Sequence, residues 1–160
     1  TYGKWVVEFL ENPKNALTIM YQFLNPGGIF AYETSNMKQS NYFSSPYNPA
    51  VEVWHSYGTR VFEDHGCHLT FAYDESYSLF CELGCSNIKL RVNQAILSNA
   101  REKSVYRLGL ISNTPTLLNK NILTQDEIDD MEKQLIELEG SKTITGFYHN
   151  ILISGIKKIA

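Results

Sequence analysis

Glu33, His55 and His65 are the general-base candidates in this 160-residue sequence, since a carboxylate or neutral imidazole beside a reacting group can take its proton. Glu33 closes the apolar run Ile29-Phe30-Ala31-Tyr32, a position that serves equally for a base and for the cap of a neighbouring loop. His55 falls on an apolar helical pattern and reads as a packed core histidine or as a base. His65, at the end of that pattern, reads as a capping or surface residue. Tyr42, Phe43, Tyr47 and Trp54 supply aromatic faces for a pocket or lid; Trp54 fits core packing as well, while Tyr42 and Phe43 stand in a polar loop where binding residues concentrate. A further group, Tyr2, Gly3, Lys4, Trp5 and Phe9, precedes the first helix signal. Aromatic faces and carboxylates together stabilise positive charge in a partly dry site. Lys4 alone reads as a solvated side chain.

Two motifs lead elsewhere. Gly140-Ser141-Lys142-Thr143 suggests a phosphate loop, but Ile136 and Ser141 occupy its two glycine positions and a helical pattern precedes it. Cys67, Cys81 and Cys85 contain no Cys-x-x-Cys pair, and His65 and His68 lack a second cysteine-histidine pair. Free, mostly buried thiols in a reducing cytoplasm are the expectation, with no metal.

The elements that position these residues are marked by strong punctuation. Asn12-Pro13 is an N-cap with proline at the first helical position, and Ala16, Leu17, Met20, Phe23 and Leu24 recur on one helical face. Asn25-Pro26-Gly27-Gly28 stops that helix, and Ile29 to Tyr32 follows as a strand buried on both faces. Residues 35–48 read as an extended loop. Asn48-Pro49 opens a second helix to about His65 through Val51, Val53, Trp54, Tyr57, Val61 and Phe62, loosened at Gly58. A helix from near Asp74 ends at Gly84, with Tyr77, Phe80 and Leu83 on one side. Ile88, Leu90 and Val92 alternate with Lys89, Arg91 and Asn93 as in a half-buried strand.

Beyond Asn99, the apolar positions Val105, Leu108, Leu110 and Ile111 predict a helix that Asn113-Thr114-Pro115 breaks or kinks. Thr124 and Glu127 form a capping box before Ile128, Met131, Leu135 and Leu138, with an end expected before Gly140. Phe147 to Ile156 is expected to pair with the strand near Leu90. Ligands in open α/β sheets sit outside the carboxyl ends of strands, which singles out Tyr2 to Phe9 and Glu33 with the 35–48 loop.

One domain is the natural count, and a chain of 160 residues buries roughly two-thirds of its unfolded surface. The formal charge of −3, from 14 basic and 17 acidic residues interspersed, gives no footprint for nucleic acid. No apolar run approaches a bilayer span.

The punctuated segment resembles the class I S-adenosylmethionine-dependent methyltransferases of the small-molecule type, in their second half. Trp5-Val6-Val7, Asn12-Pro13, Leu24-Asn25-Pro26-Gly27-Gly28 and Glu33 are similar to that family's run from the end of its fourth strand to its fifth. Leu79-Phe80-Cys81-Glu82-Leu83-Gly84-Cys85-Ser86-Asn87-Ile88 resembles its leucine-rich helix, terminator and sixth strand. Leu123 to Ile128 resembles a helix inserted before the last strand, and Ile151 to Lys157 that strand.

The resemblance implies an α/β fold: the C-terminal half of a Rossmann-like methyltransferase sheet, fifth to seventh strands with the last pair antiparallel, and a helical insertion at 98–140. It implies methyl transfer from S-adenosylmethionine to a small-molecule acceptor. Tyr2, Gly3, Lys4, Trp5 and Phe9 would border the cofactor, Tyr42, Phe43, Tyr47 and Trp54 the acceptor beside the 35–48 loop, and Glu33 and His55 would be catalytic. Lys4 and Phe9 stand where the family has arginine and histidine, and no Gly-x-Gly-x-Gly follows a strand. The cofactor-binding N-terminal half is therefore expected to be absent and the chain inactive alone, with self-association or pairing with that half along an uncovered edge of the Ile29 strand. A non-catalytic methyltransferase-like interaction module is the alternative.

Overall fold

The computed structural model describes residues 1–4, 6–38, 42–71 and 75–159. Among them are five strands and five helices, a mixed α/β arrangement in two compact units. The first unit comprises residues 1–40, 66–94 and 148–160, and the second residues 41–65 and 95–147. No helix among the described residues is long and apolar enough to cross a membrane.

In the first unit, strand β1 (Tyr2–Lys4) leads through a 3-10 turn (Val7–Phe9) to helix α1 (Pro13–Gln22). Asn12 caps α1 by accepting from Asn15 N at 2.9 Å, as its sequence signal requires. The turn after it explains both glycines. Gly27 has φ of 75°, which a side chain resists, and a Cβ on Gly28 would stand 2.8 Å from Asn25 O and Leu24 Cγ. Lys157 Nζ closes the end of α1 by donating to Tyr21 O, Gln22 O and Leu24 O at 3.2, 3.2 and 2.8 Å.

Strand β2 (Ile29–Asn36) follows, and here two expectations are corrected. β2 is not at an uncovered edge: β1 pairs with it in parallel, Tyr2 opposite Ala31 and Lys4 opposite Glu33. Nor is the apolar run buried on both faces, because Ile29 is 62% exposed while Phe30 and Tyr32 are fully buried. On its other side β2 runs antiparallel to strand β5 (Ile144–Lys157), Ile29 opposite Ile156 and Asn36 opposite His149. The core gathers Val7, Leu17, Phe30, Tyr32, Leu79, Phe80 and Ile153, with Phe30 and Phe80 stacked at 5.0 Å. Phe23, expected on the sheet side of α1, is exposed just past the helix end.

Helix α3 (Ser76–Glu82) ends at Gly84, whose φ is 73°. Asp74, the expected start, lies outside the described residues; Tyr77 is exposed, and Leu79 joins Phe80 in the core. Strand β4 (Cys85–Leu97) pairs with β5 as expected, with Ser86 Oγ donating to Ile156 O at 3.2 Å. Its alternation did not translate into half-burial: Leu90 and Val92 are exposed along with Lys89 and Arg91. Cys85 is buried, Cys67 half-buried and Cys81 exposed.

The second unit holds helix α2 (Pro49–Asp64), strand β3 (Phe43–Ser45), helices α4 (Ala100–Asn119) and α5 (Gln125–Gly140), and the first residues of β5. The 35–48 segment is thus not wholly loop, since β2 continues to Asn36 and β3 pairs with β5, Ser44 opposite Thr145. Asn48 caps α2, and Gly58 sits buried inside an unbroken helix. α4 and α5 pack on each other, and both start in capping boxes, Asn99 with Glu102 and Thr124 with Glu127. Ile128, Met131, Leu135 and Leu138 are buried as expected, and α5 runs one residue further than expected, to Gly140.

Of the apolar face expected of α4, Leu110 alone is buried. Its buried stripe is Lys103, Tyr106, Leu110 and Leu117, while Val105, Leu108 and Ile111 are exposed. Nor does Pro115 break it: Asn113 Nδ2 donates to Gly109 O and Thr114 Oγ1 to Leu110 O, so side chains occupy carbonyls around the proline.

Candidate active site

Where the parallel pairing of β1 with β2 ends, at Lys4 opposite Glu33, the sequence brings a carboxylate, a phenol and an ammonium together. Glu33 and Lys4 are opposite each other in register, and Lys4 Nζ lies 3.4 Å from Glu33 Oε1. Tyr2, two residues back on the same face of β1, donates its hydroxyl to Glu33 Oε2 at 2.9 Å. The hydrogen bond to Glu33, with a lesser part from burial, raises the Tyr2 pKa, so the phenol stays protonated. The Glu33 side chain keeps 17% of its surface accessible. Gly3, between the two, has open space where a Cβ would point. Phe9, the last residue of the 3-10 turn, is exposed; Trp5 lies outside the described residues.

Sequence reasoning missed Glu8. It is only 2% exposed, and accepts from Thr34 Oγ1 at 2.6 Å and Ser35 Oγ at 3.3 Å, both just past Glu33 on β2. Its backbone carbonyl accepts from His68 N at 2.8 Å. No cationic side chain among the described residues pairs with this carboxylate. The available signal was an acid directly after Val7, an apolar residue that is buried and draws the turn inward. Two carboxylates therefore stand at one end of the sheet, one balanced by Lys4 and one held by hydroxyls. Such an end favours a cationic ligand group.

The remaining candidates fall in the second unit, where an aromatic cluster surrounds His55. The Tyr42 ring stacks on the imidazole at 3.3 Å and 13°. Trp54 meets it edge-on at 5.1 Å, and Tyr106 at 5.8 Å. Burial lowers the His55 pKa to about 3, so the imidazole is neutral at pH 7 and a weak proton acceptor. Trp54 is anchored by its Nε1 donating to Tyr106 O at 2.7 Å. Phe43 is partly exposed on β3, and the exposed Tyr47 donates to Glu52 Oε2 at 2.7 Å. His65 caps α2, its Nδ1 2.7 Å from Val61 O.

This cluster makes a sharp prediction at Gly109. A Cβ there would lie 2.8 Å from Trp54 Cζ2, and the indole cannot retreat without losing its bond to Tyr106 O. Glycine to alanine in a helix interior ordinarily gains about 1 kcal/mol. Gly109→Ala is instead expected to lose about 1–2 kcal/mol in urea unfolding, with a changed Trp fluorescence spectrum, because overpacking outweighs propensity.

No protein-family model matches the sequence, and no curated protein matches it. Among solved structures, the chain is similar to phosphoethanolamine N-methyltransferase 2 from Haemonchus contortus. In its complex with phosphomonomethylethanolamine and S-adenosylhomocysteine the identity is 12% and the TM-score 0.48, over 99% of this chain and 33% of that one. In its complex with S-adenosyl-L-methionine the identity is 10% and the TM-score 0.47, over the same shares. The chain spans about a third of the length of these proteins.

Proposed function

We propose that this chain supplies the acceptor-side half of a class I S-adenosylmethionine-dependent methyltransferase acting on a small-molecule acceptor. The observation that carries this reading is the Tyr2–Lys4–Glu33 cluster, formed where β1 ends at Lys4 opposite Glu33 within β2, since open α/β sheets bind ligands beyond the carboxyl ends of their strands. The reversed strand β5 beside β2, itself paired with β4, agrees with the closing strands that the sequence resemblance implies.

The cofactor, when bound, supplies a methyl group on a positively charged sulfur. The residues near this cluster suit that charge: Glu33 and Glu8 are carboxylates, and Tyr2 and Phe9 are aromatic. In the proposed arrangement Tyr2, Gly3, Lys4, Trp5 and Phe9 border the methionine end. The 160 residues contain no Gly-x-Gly-x-Gly, so the adenosine-side loop comes from other polypeptide, docked along the open edge of β1. The chain alone is then inactive.

Glu33 orients the acceptor and takes its proton, with Lys4 and Tyr2 holding the carboxylate in place. By the sequence resemblance, Tyr42, Phe43 and Tyr47 are assigned as acceptor-contacting residues. Trp54 and His55 act as supports for Tyr42 rather than in proton transfer, because burial keeps the imidazole neutral down to about pH 3.

The test is methyl transfer from radiolabelled S-adenosylmethionine to small hydroxyl and amine acceptors by the native-length polypeptide carrying these residues. Glu33→Gln is expected to lower kcat about 10²–10⁴-fold with its fold intact, the usual worth of a general base. A wild-type rate in that variant removes Glu33 from the chemistry. No transfer by the unaltered polypeptide favours the non-catalytic interaction module.

A further inference from the structure

Strand β4 combines length, exposure and a one-signed charge in a way the proposed chemistry does not use. Residues 89–93 are all exposed, and β5 is the strand partner of β4 among the described residues. Leu90, Val92 and Ile96 are 45%, 55% and 48% exposed and alternate with Lys89, Arg91 and Asn93. From Cys85 to Leu97 there is no acidic residue, although the whole chain carries 17 acidic residues against 14 basic. No carboxylate among the described residues pairs with Lys89 or Arg91.

We propose that the outer edge of β4 receives an extended strand of alternating apolar and acidic residues from a protein partner. An exposed edge offers backbone donors and acceptors to an added strand, and the side chains opposite decide which strand is accepted. Acidic residues facing Lys89 and Arg91 form cross-strand ion pairs while apolar residues cover Leu90 and Val92. A second copy of this chain is the poorer occupant: antiparallel pairing with Leu90 facing itself sets Lys89 opposite Arg91, a like-charge pair that destabilises.

Three fluorescein-labelled ten-residue peptides test this by anisotropy on the 160-residue chain: alternating isoleucine and glutamate, alternating isoleucine and lysine, and the glutamate peptide N-methylated at every second residue. The glutamate peptide is expected to bind, more weakly at higher salt, and the other two not to. The double variant Lys89→Glu with Arg91→Glu is expected to weaken the glutamate peptide by about fivefold or more and to bind the lysine peptide instead, two cross-strand pairs being reversed. That exchange of preference cannot arise from an unfolded variant. Equal binding of both charged peptides, retained binding of the N-methylated one, competition by single-stranded DNA at equal affinity, or dimerisation that the double variant abolishes would each overturn the proposal.

Discussion

Lowering the pH from 6.5 to 4.5 is expected to cost the second unit roughly 2–3 kcal/mol through His55, because each pH unit across a suppressed titration is worth about 1.4 kcal/mol. Burial lowers the folded-state pKa of this histidine from 6.5 to about 3. The unfolded chain therefore takes up a proton below pH 6.5 that the folded chain refuses. The stabilisation is whole above pH 6.5 and is lost progressively as pH falls toward 3. The rings packed against His55 come from Tyr42, Trp54, Tyr106 and Phe147, all neutral across that window. Urea unfolding of the wild type and of His55→Leu at half-unit pH steps isolates the effect. The wild type is expected to show the steeper fall, and the difference between the two curves to flatten above pH 6.5. Parallel curves would mean that the imidazole protonates in place.

Replacing Lys103 is expected to have a similar effect at constant pH. The side chain is fully buried, and its ammonium donates to Leu138 O and Ser141 O at 2.7 Å each, closing the carboxyl end of α5 from within α4. A cation at a helix carboxyl terminus is favoured by the exposed carbonyls and the dipole. Lys103→Met keeps nearly the same volume but takes the charged donor from both carbonyls: Leu138 O keeps Ser141 N and Oγ at 3.2 and 2.8 Å, whereas Ser141 O loses its bond to the ammonium. One unsatisfied carbonyl and one lost charged hydrogen bond together cost about 2–4 kcal/mol, against which stands the relief of no longer burying a charge, so a net loss of about 1–3 kcal/mol is expected. Hydrogen exchange should accelerate at residues 138–144 beyond the rest of α5. A stability gain would show that the buried charge outweighs the capping it provides.

Local signals were legible wherever a few adjacent residues determine the outcome. Asn12-Pro13, Asn48-Pro49 and Thr124 with Glu127 each start the helix their chemistry requires, and Gly27-Gly28 and Gly84 end one. What failed depends on neighbours distant in sequence. α4 carries apolar residues around much of its circumference, so its periodicity picked out Leu110 but could not separate Tyr106 and Leu117 from Leu108 and Ile111; α5 has one apolar stripe and was read correctly. β1 is three residues long and has no pattern of its own; only its register with β2 makes it a strand. The same holds for the candidate site. Glu33 was visible because it ends an apolar run, and Tyr2 and Lys4 because they are polar or aromatic near a strand end. Glu8 was invisible because its meaning lies in Thr34 and Ser35, across the chain from it. His55 was readable as base or core, and its stack with Tyr42 and its burial favour the core.

The central claim is that these residues form one half of a methyl-transfer site and need the other half for the cofactor. Isothermal titration of S-adenosylmethionine and S-adenosylhomocysteine into the native-length polypeptide, and separately into the 160-residue chain, tests it most directly. Binding of both ligands by the former, weakened by Glu33→Ala, and no measurable heat with the latter is the predicted result. Absence of binding by the native-length polypeptide, or equal affinity in the isolated chain, would contradict it.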